Sequence, residues 1–363
     1  MGNLIDYVDW RGDLSFSQVE LCEVDSLLLS LLSYVDFEGI VPSHEEGGSI
    51  TLLGAMREFN KINKGKKLNL GKFIPPELLK IAVRAAKSRR FGGIRLSDYV
   101  HDLDAEVGRQ FCALTFKFSR DKYFVAFRGT DDTLVGWKES FNMSFMSPIP
   151  AQLSAEKYFS EVANTHSGVF YLGGHSKGGN LAVYASAQSE DAVKERIVKI
   201  FNHDGPGFDL EFITGDNYQA VREKIVTLVP QSSVVGMLLE HEENYEVIKS
   251  NAGGIMQHTA FSWEVMGGSF IHLDSVSEDS RLIDEKMKEW LGGLTVEERE
   301  EFIETIFNAL ASLNATTLTE LSAEKLKLIK AWNTLDPKAK SLLLQCVSIL
   351  IKHNALTIKT TNK

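Results

Sequence analysis

The stretch Tyr171-Leu172-Gly173-Gly174-His175-Ser176-Lys177-Gly178-Gly179-Asn180 contains Gly-x-Ser-x-Gly between a short apolar strand pattern, Val169 to Leu172, and a small-residue helical pattern, Asn180 to Gln188. In that setting the serine stands on a sharp strand-to-helix turn, where its hydroxyl is exposed for attack on an acyl carbon. The glycines on either side let strand and helix approach closely. The new helix start directs its dipole, and the N–H of Lys177, toward a developing oxyanion. A second donor is expected from Phe127-Arg128-Gly129-Thr130-Asp131-Asp132, a turn after a strand pattern in which Thr130 offers both an N–H and a hydroxyl.

Acyl transfer also needs a base and a group to orient it. Of the nine histidines, His258 lies beyond the last strand pattern, where the chain order nucleophile, acid, base places the imidazole. His241 and His272 are rivals, each read first as a surface or packed residue, and His175 reads as a packing residue of the turn. The acid usually follows the strand pattern Ile225 to Val229, but no carboxylate occurs from Ile225 to Leu239. Asp204, in Asn202-His203-Asp204-Gly205-Pro206-Gly207, is the alternative, either as triad acid or as a turn-maker before Gly-Pro.

These residues must be held by a scaffold. Val24, Leu27, Leu28, Leu31, Leu32 and Val35 recur at helical spacing. Ala113 to Phe118 and Tyr123 to Phe127 read as a hairpin, Ala155 to Thr165 as a helix, and Val198 to Phe201 and Ile225 to Val229 as buried strands. Strand and helix in alternation predict an α/β fold with a mostly parallel sheet flanked by helices. Pro42 to Pro76 alternates Gly-rich pieces with short basic ones, with Lys64 to Lys67 as a solvated loop or helix face. Leu134 to Met146, with Trp137, Phe141 and Phe145, reads as a core helix or a short lid. From about residue 280 three helical segments are expected, one capped by Thr295 and Glu298 and the last starting at Asp336-Pro337. The expected division is a catalytic domain over 1–280, including the N-terminal helical segment, and a helical extension over 281–363, packed on the domain or on a partner, with a membrane-lying helix as the weaker alternative.

The chain has 363 residues, 44% of them hydrophobic and 24% charged, and a net charge of −10. That balance suits a large buried core and argues against a nucleic-acid partner. Cys22, Cys112 and Cys346 form neither a disulfide framework nor a metal-ligand pattern, and read as small apolar residues. No cofactor or metal is required. Asp6, Asp9 and Asp13 stand where a secretory leader would be basic and apolar, so a cytoplasmic location is expected. The run Leu342 to Ile351 is too short to span a bilayer, which limits membrane contact to the periphery.

Arg128-Gly129-Thr130 with Trp137, and Gly174-His175-Ser176-Lys177-Gly178-Gly179, resemble the oxyanion turn and nucleophile elbow of class 3 lipases, an α/β-hydrolase branch in which Leu is usual where Lys177 stands. With Trp10-Arg11-Gly12-Asp13, Asp204-Gly205-Pro206-Gly207, Val229-Pro230-Gln231-Ser232-Ser233 and Gln257-His258, the chain is similar to the Mbeg1-like proteins of Gram-positive bacteria over roughly residues 3 to 290. The resemblance implies an α/β-hydrolase fold with a helical C-terminal extension and hydrolysis of an ester or lipid by Ser176, His258 and Asp204. In the lipases the acid lies in Asp-x-Val-Pro, and the corresponding position here is Ser233, which leaves a Ser-His dyad open. A catalytically inactive binding protein and an acyltransferase or thioesterase are the competing readings.

Overall fold

A computed structural model describes residues 2–66, 68, 70, 71, 74–323 and 325–360, with 325, 326 and 352–360 as backbone alone. Its main sheet has nine strands in the order β1 (Ile50–Thr51), β2 (Arg95–Asp104), β3 (Arg109–Lys117), β4 (Lys122–Phe127), β5 (Val169–His175), β6 (Ile197–His203), β7 (Ile225–Pro230), β8 (Tyr245–Ile248) and β11 (His272–Leu273). The strands β4 to β8 run parallel, and the flanks β1 to β4 and β8 to β11 pair antiparallel. Two short strands, β9 (Val265–Met266) and β10 (Ser269–Phe270), pair separately.

Alternation along β4 shows how the sheet is covered. Phe124 and Ala126 face a core with helices Glu23–Leu32, Leu52–Ile62 and Glu77–Lys87, while Tyr123, Val125 and Phe127 face helices Pro150–Thr165 and Lys177–Gln188. A strand buried on both sides reads as a continuous apolar run, which is why β4, β5 and β7 are visible in sequence. The helix Leu52–Ile62 lies within the stretch Pro42 to Pro76, and the helix Glu77–Lys87 follows it. In Leu52–Ile62 the apolar residues Leu52, Ala55, Met56 and Phe59 share one buried face. Lys64 and Lys66 are exposed, and Lys67 lies outside the described residues. Cys112 is buried, whereas Cys22 and Cys346 are half-buried.

Beyond β11 the described residues form five helices rather than three: Glu278–Gly292, Val296–Ala311, Leu318–Ala323, Lys325–Thr334 and Pro337–Thr360. The capping box at Thr295 and Glu298 forms as expected. Phe302, Ile303 and Phe307 pack with Leu342 against Trp137 and Phe145, so the helix Leu134–Asn142 lies beneath this layer. Backbone bonds join the two parts, from Leu134 N–H to Thr316 O (2.9 Å) and from Leu318 N–H to Asp132 O (3.0 Å).

Candidate active site

Ser176 links β5 directly to the helix Lys177–Gln188, which starts three residues earlier than its small-residue pattern indicates. Its backbone has φ 59° and ψ −135°, a region that non-glycine residues enter at a cost of about 1–3 kcal/mol. The surroundings enforce it. A Cβ at Gly174 would stand 2.1 Å from Gly178 C, and one at Gly178 would stand 2.1 Å from Phe127 O, so strand, helix and the end of β4 meet with no room for side chains. Ser176 N–H donates to His203 O (2.9 Å) at the end of β6.

The turn after β4 lies against this elbow. A Cβ at Gly129 would fall 3.1 Å from Ser176 Cβ and 2.4 Å from His175 O, and it would also strike the Tyr34 hydroxyl. Thr130 follows at once, but its hydroxyl is 2.6 Å from Ser140 Oγ, and Ser140 donates its single proton to Gly136 O (2.9 Å). Thr130 must therefore give its own hydroxyl proton to Ser140, and its backbone N–H is the group left for an oxyanion. The N–H of Lys177, at the first position of the helix, has no carbonyl within the helix to meet.

The Lys177 side chain turns away into the core. Its ammonium donates to Gln110 O (2.8 Å), Gln110 Oε1 (2.9 Å) and Glu139 Oε2 (2.6 Å), with both charged side chains essentially without solvent contact. Glu139 also accepts the N–H groups of Gln110 (3.1 Å) and Ala151 (2.8 Å). Burial pulls the Lys177 pKa below its ordinary value, and Glu139 opposes that shift. Two signals in the sequence point to this pair: a lysine where the elbow normally carries Leu, and one carboxylate between Trp137 and Phe141.

His258 ends a 3-10 turn, Gly254–His258, and its Nδ1 is 2.7 Å from Asp204 Oδ2. His175, next to Ser176, donates from Nε2 to the His258 carbonyl (2.8 Å), and the two rings are 4.6 Å apart. Burial depresses the His175 pKa well below the usual range, so this ring is a neutral donor and holds the turn over the elbow. The His258 side chain retains 24% exposure, whereas Asp204 has none.

Asp204 follows β6 with φ 53°. Its N–H donates to Leu228 O (2.8 Å), and Oδ1 accepts from Ser233 Oγ (2.5 Å) and Gly236 N–H (3.1 Å). The position after β7 thus supplies a hydroxyl that holds a carboxylate carried by the neighbouring strand. Asn180 ties the loop down by donating to Pro206 O (3.1 Å) and Gly207 O (2.8 Å). The rival histidines are engaged elsewhere, His241 with Glu243 (3.1 Å) and His272 with Glu23 (2.9 Å) and Glu246 (3.0 Å). Structure thus brings Ser176, His258, Asp204, Thr130 and the Lys177 N–H to one end of the sheet. It adds His175, Ser140 and Ser233 as their supports.

A parallel sheet between helix layers, with a serine on a strained strand-to-helix turn and a His-Asp pair at the strand ends, is an α/β-hydrolase fold. The family model described as Mbeg1-like matches residues 85–308. The chain belongs to the Mbeg1-like family. No curated protein matches the sequence. Similar solved structures include M37 lipase (15% identity, TM-score 0.37, 58% of this chain and 68% of the lipase) and lipase II from Rhizopus niveus (15%, 0.36, 69% and 94%). The lipase from Rhizopus microsporus var. chinensis is also similar (14%, 0.36, 70% and 82%). No described helix of this Mbeg1-like chain is long and apolar enough to cross a membrane.

Proposed function

We propose that this protein is a serine hydrolase that cleaves carboxylic esters, acting as a lipase or esterase through an acyl-enzyme. The observation that carries the reading is the His258–Asp204 pair, closed at 2.7 Å and fastened beside the strained Ser176 through His175. With Nδ1–H committed to Asp204, His258 keeps Nε2 as a proton acceptor. Ser176 Oγ attacks the acyl carbon and passes its proton to Nε2, and the N–H groups of Lys177 and Thr130 receive the negative charge on the carbonyl oxygen. Collapse breaks the acyl–oxygen bond of the ester, and Nε2 gives its proton to the departing alcohol. Water then repeats the sequence on the acyl-enzyme, releasing the acid and restoring the serine.

An inactive binding protein was favoured by the lack of a carboxylate after β7. Asp204 within reach of the imidazole removes that support. The test is covalent labelling with a fluorophosphonate probe at neutral pH. Labelling of the wild type that disappears in Ser176→Ala and falls sharply in His258→Ala, but not in His241→Ala or His272→Ala, is expected. A wild type that does not label would end the proposal.

A further inference from the structure

The last helix, Pro337–Thr360, is apolar on two sides. Its inner side is spent on the protein: Leu342 packs with Phe302 and Phe307, while Cys346, Ile349 and Leu350 pack with Val234, Ile283 and Met287. Its outer side carries Leu344, Val347 and Ile351 at i, i+3 and i+7, with Leu344 57% and Ile351 61% exposed. The polar positions beside them, Ser341, Gln345 and Ser348, are uncharged. A helix with two apolar faces buries each against a core or lipid, and here the outer face lacks a core. The preceding helix, Lys325–Thr334, adds exposed Leu328, Ile329 and Trp332, and the Lys340 ammonium lies 6.0 Å from the Trp332 ring, joining the two helices.

Charge selects the occupant. Residues 325–363 contain eight lysines, no arginine and one acid, Asp336, giving +7 in a chain of −10. Lys338, which also pairs with Glu298 (3.3 Å) and Glu301 (3.2 Å), and Lys352 bracket the apolar stripe at its two ends, and Lys327 and Lys330 lie on the preceding helix. Apolar residues and a tryptophan flanked by lysines are the composition of helices that lie in a lipid interface and favour anionic headgroups. The surface also continues to the candidate active site. The last helix packs against the Gly254–His258 turn, whose Ile255 and Met256 are exposed.

We propose that the helices Lys325–Thr334 and Pro337–Thr360 form a docking face for an anionic lipid bilayer, placing the mouth of the Ser176 site at the lipid surface. Binding is independent of turnover, so the experiment uses the full chain carrying Ser176→Ala. It compares flotation with vesicles of phosphatidylcholine alone and of phosphatidylcholine mixed with phosphatidylglycerol. Binding to the mixed vesicles that weakens with salt, and that falls roughly tenfold or more in Leu344→Glu/Ile351→Glu, is expected. Lys327→Glu/Lys330→Glu should reduce the same binding with the apolar stripe intact. Far-UV circular dichroism and a thermal melt check that the variants fold, and Leu344→Gln/Ile351→Gln replaces the acidic pair if it does not fold. No binding by the parent, equal binding to both vesicles, or undiminished binding by the folded stripe variant would each overturn the proposal. So would a dimer that the stripe variant converts to monomer in light scattering without any vesicle binding, because a second copy would then cover the stripe. Fluorophosphonate labelling of protein with Ser176 intact reports separately on the catalytic reading.

Discussion

At the scale of single residues, the unusual element is an acid supplied by β6 and steadied from β7. Asp204 Oδ2 meets the imidazole while Oδ1 is held by Ser233 and Gly236. Asp204→Asn keeps the shape but weakens control of the imidazole tautomer, and should lower ester kcat by about 10⁴-fold, with a smaller change in KM. Ser233→Ala should cost roughly tenfold in kcat by freeing one carboxylate oxygen, an effect of about 1.4 kcal/mol. Steady-state kinetics on a soluble p-nitrophenyl ester checks both, and wild-type rates in either variant would contradict the arrangement. Ser176 could be read from sequence because its motif, strand and helix are contiguous. The environment of Asp204 could not, because it depends on β6 and β7 lying side by side, and the Gly-Pro sequence after it gives an equally good turn signal. Thr130 illustrates the same limit, since only the position of Ser140 ten residues later decides where its proton goes.

At the scale of elements, the helix Leu134–Asn142 occupies the place where a short lid was one of two expectations. Two fastenings hold it. Below, Glu139 is bound to Lys177 and to the N–H groups of Gln110 and Ala151; above, Trp137 packs among Phe302, Ile303 and Phe307. Breaking a buried pair strands the surviving charge, so Glu139→Gln should lower unfolding free energy by about 3–5 kcal/mol in urea titrations. Lys177→Met/Glu139→Met should lose less than that single change, since no charge is left buried. The apolar periodicity of 134–146 showed a helix with a buried face but could not show what lay above it. Its cover comes from residues more than 150 positions away. The antiparallel strand β2 was also invisible, because it carries the buried Asp98 and its second half alternates between exposed and half-buried positions, with His101, Asp102 and Asp104 among them. The five C-terminal helices exceed the expected three because short helices such as Leu318–Ala323 carry too few turns for a periodic signal.

At the scale of the whole molecule, acid stability depends on carboxylates locked inside polar clusters. Burial alone would raise the Glu243 pKa, but hydrogen bonds from His241, Thr227 and Tyr218 prevail and bring it from 4.5 to about 2. Because the folded value lies below the unfolded one, this group stabilises the fold fully above about pH 4.5, and the contribution disappears as pH falls toward 2. The shift corresponds to about 3 kcal/mol. Glu243→Gln should therefore be less stable than wild type by about that order at pH 6, with the gap closing on acidification through this window. Urea midpoints measured across the pH series check the sign, and a constant gap would rule out the linkage. Asp98 acts in the same direction, held below its usual range against burial by His166, Ser97 and His44.

The C-terminal region is bonded on both sides of the candidate site. Thr316 and Leu318 bond the chain just after the oxyanion turn, while Ser280 donates to Ser233 O and Ser277 N–H to Gln231 O beside the acid. A polypeptide leaves the ribosome from its N-terminus, so Ser176, Asp204 and His258 are all made before these braces exist. On the proposed catalytic reading, the nascent chain holds all three side chains before their braces exist, and fluorophosphonate labelling of ribosome-bound chains is expected only once residues past 318 have emerged and docked.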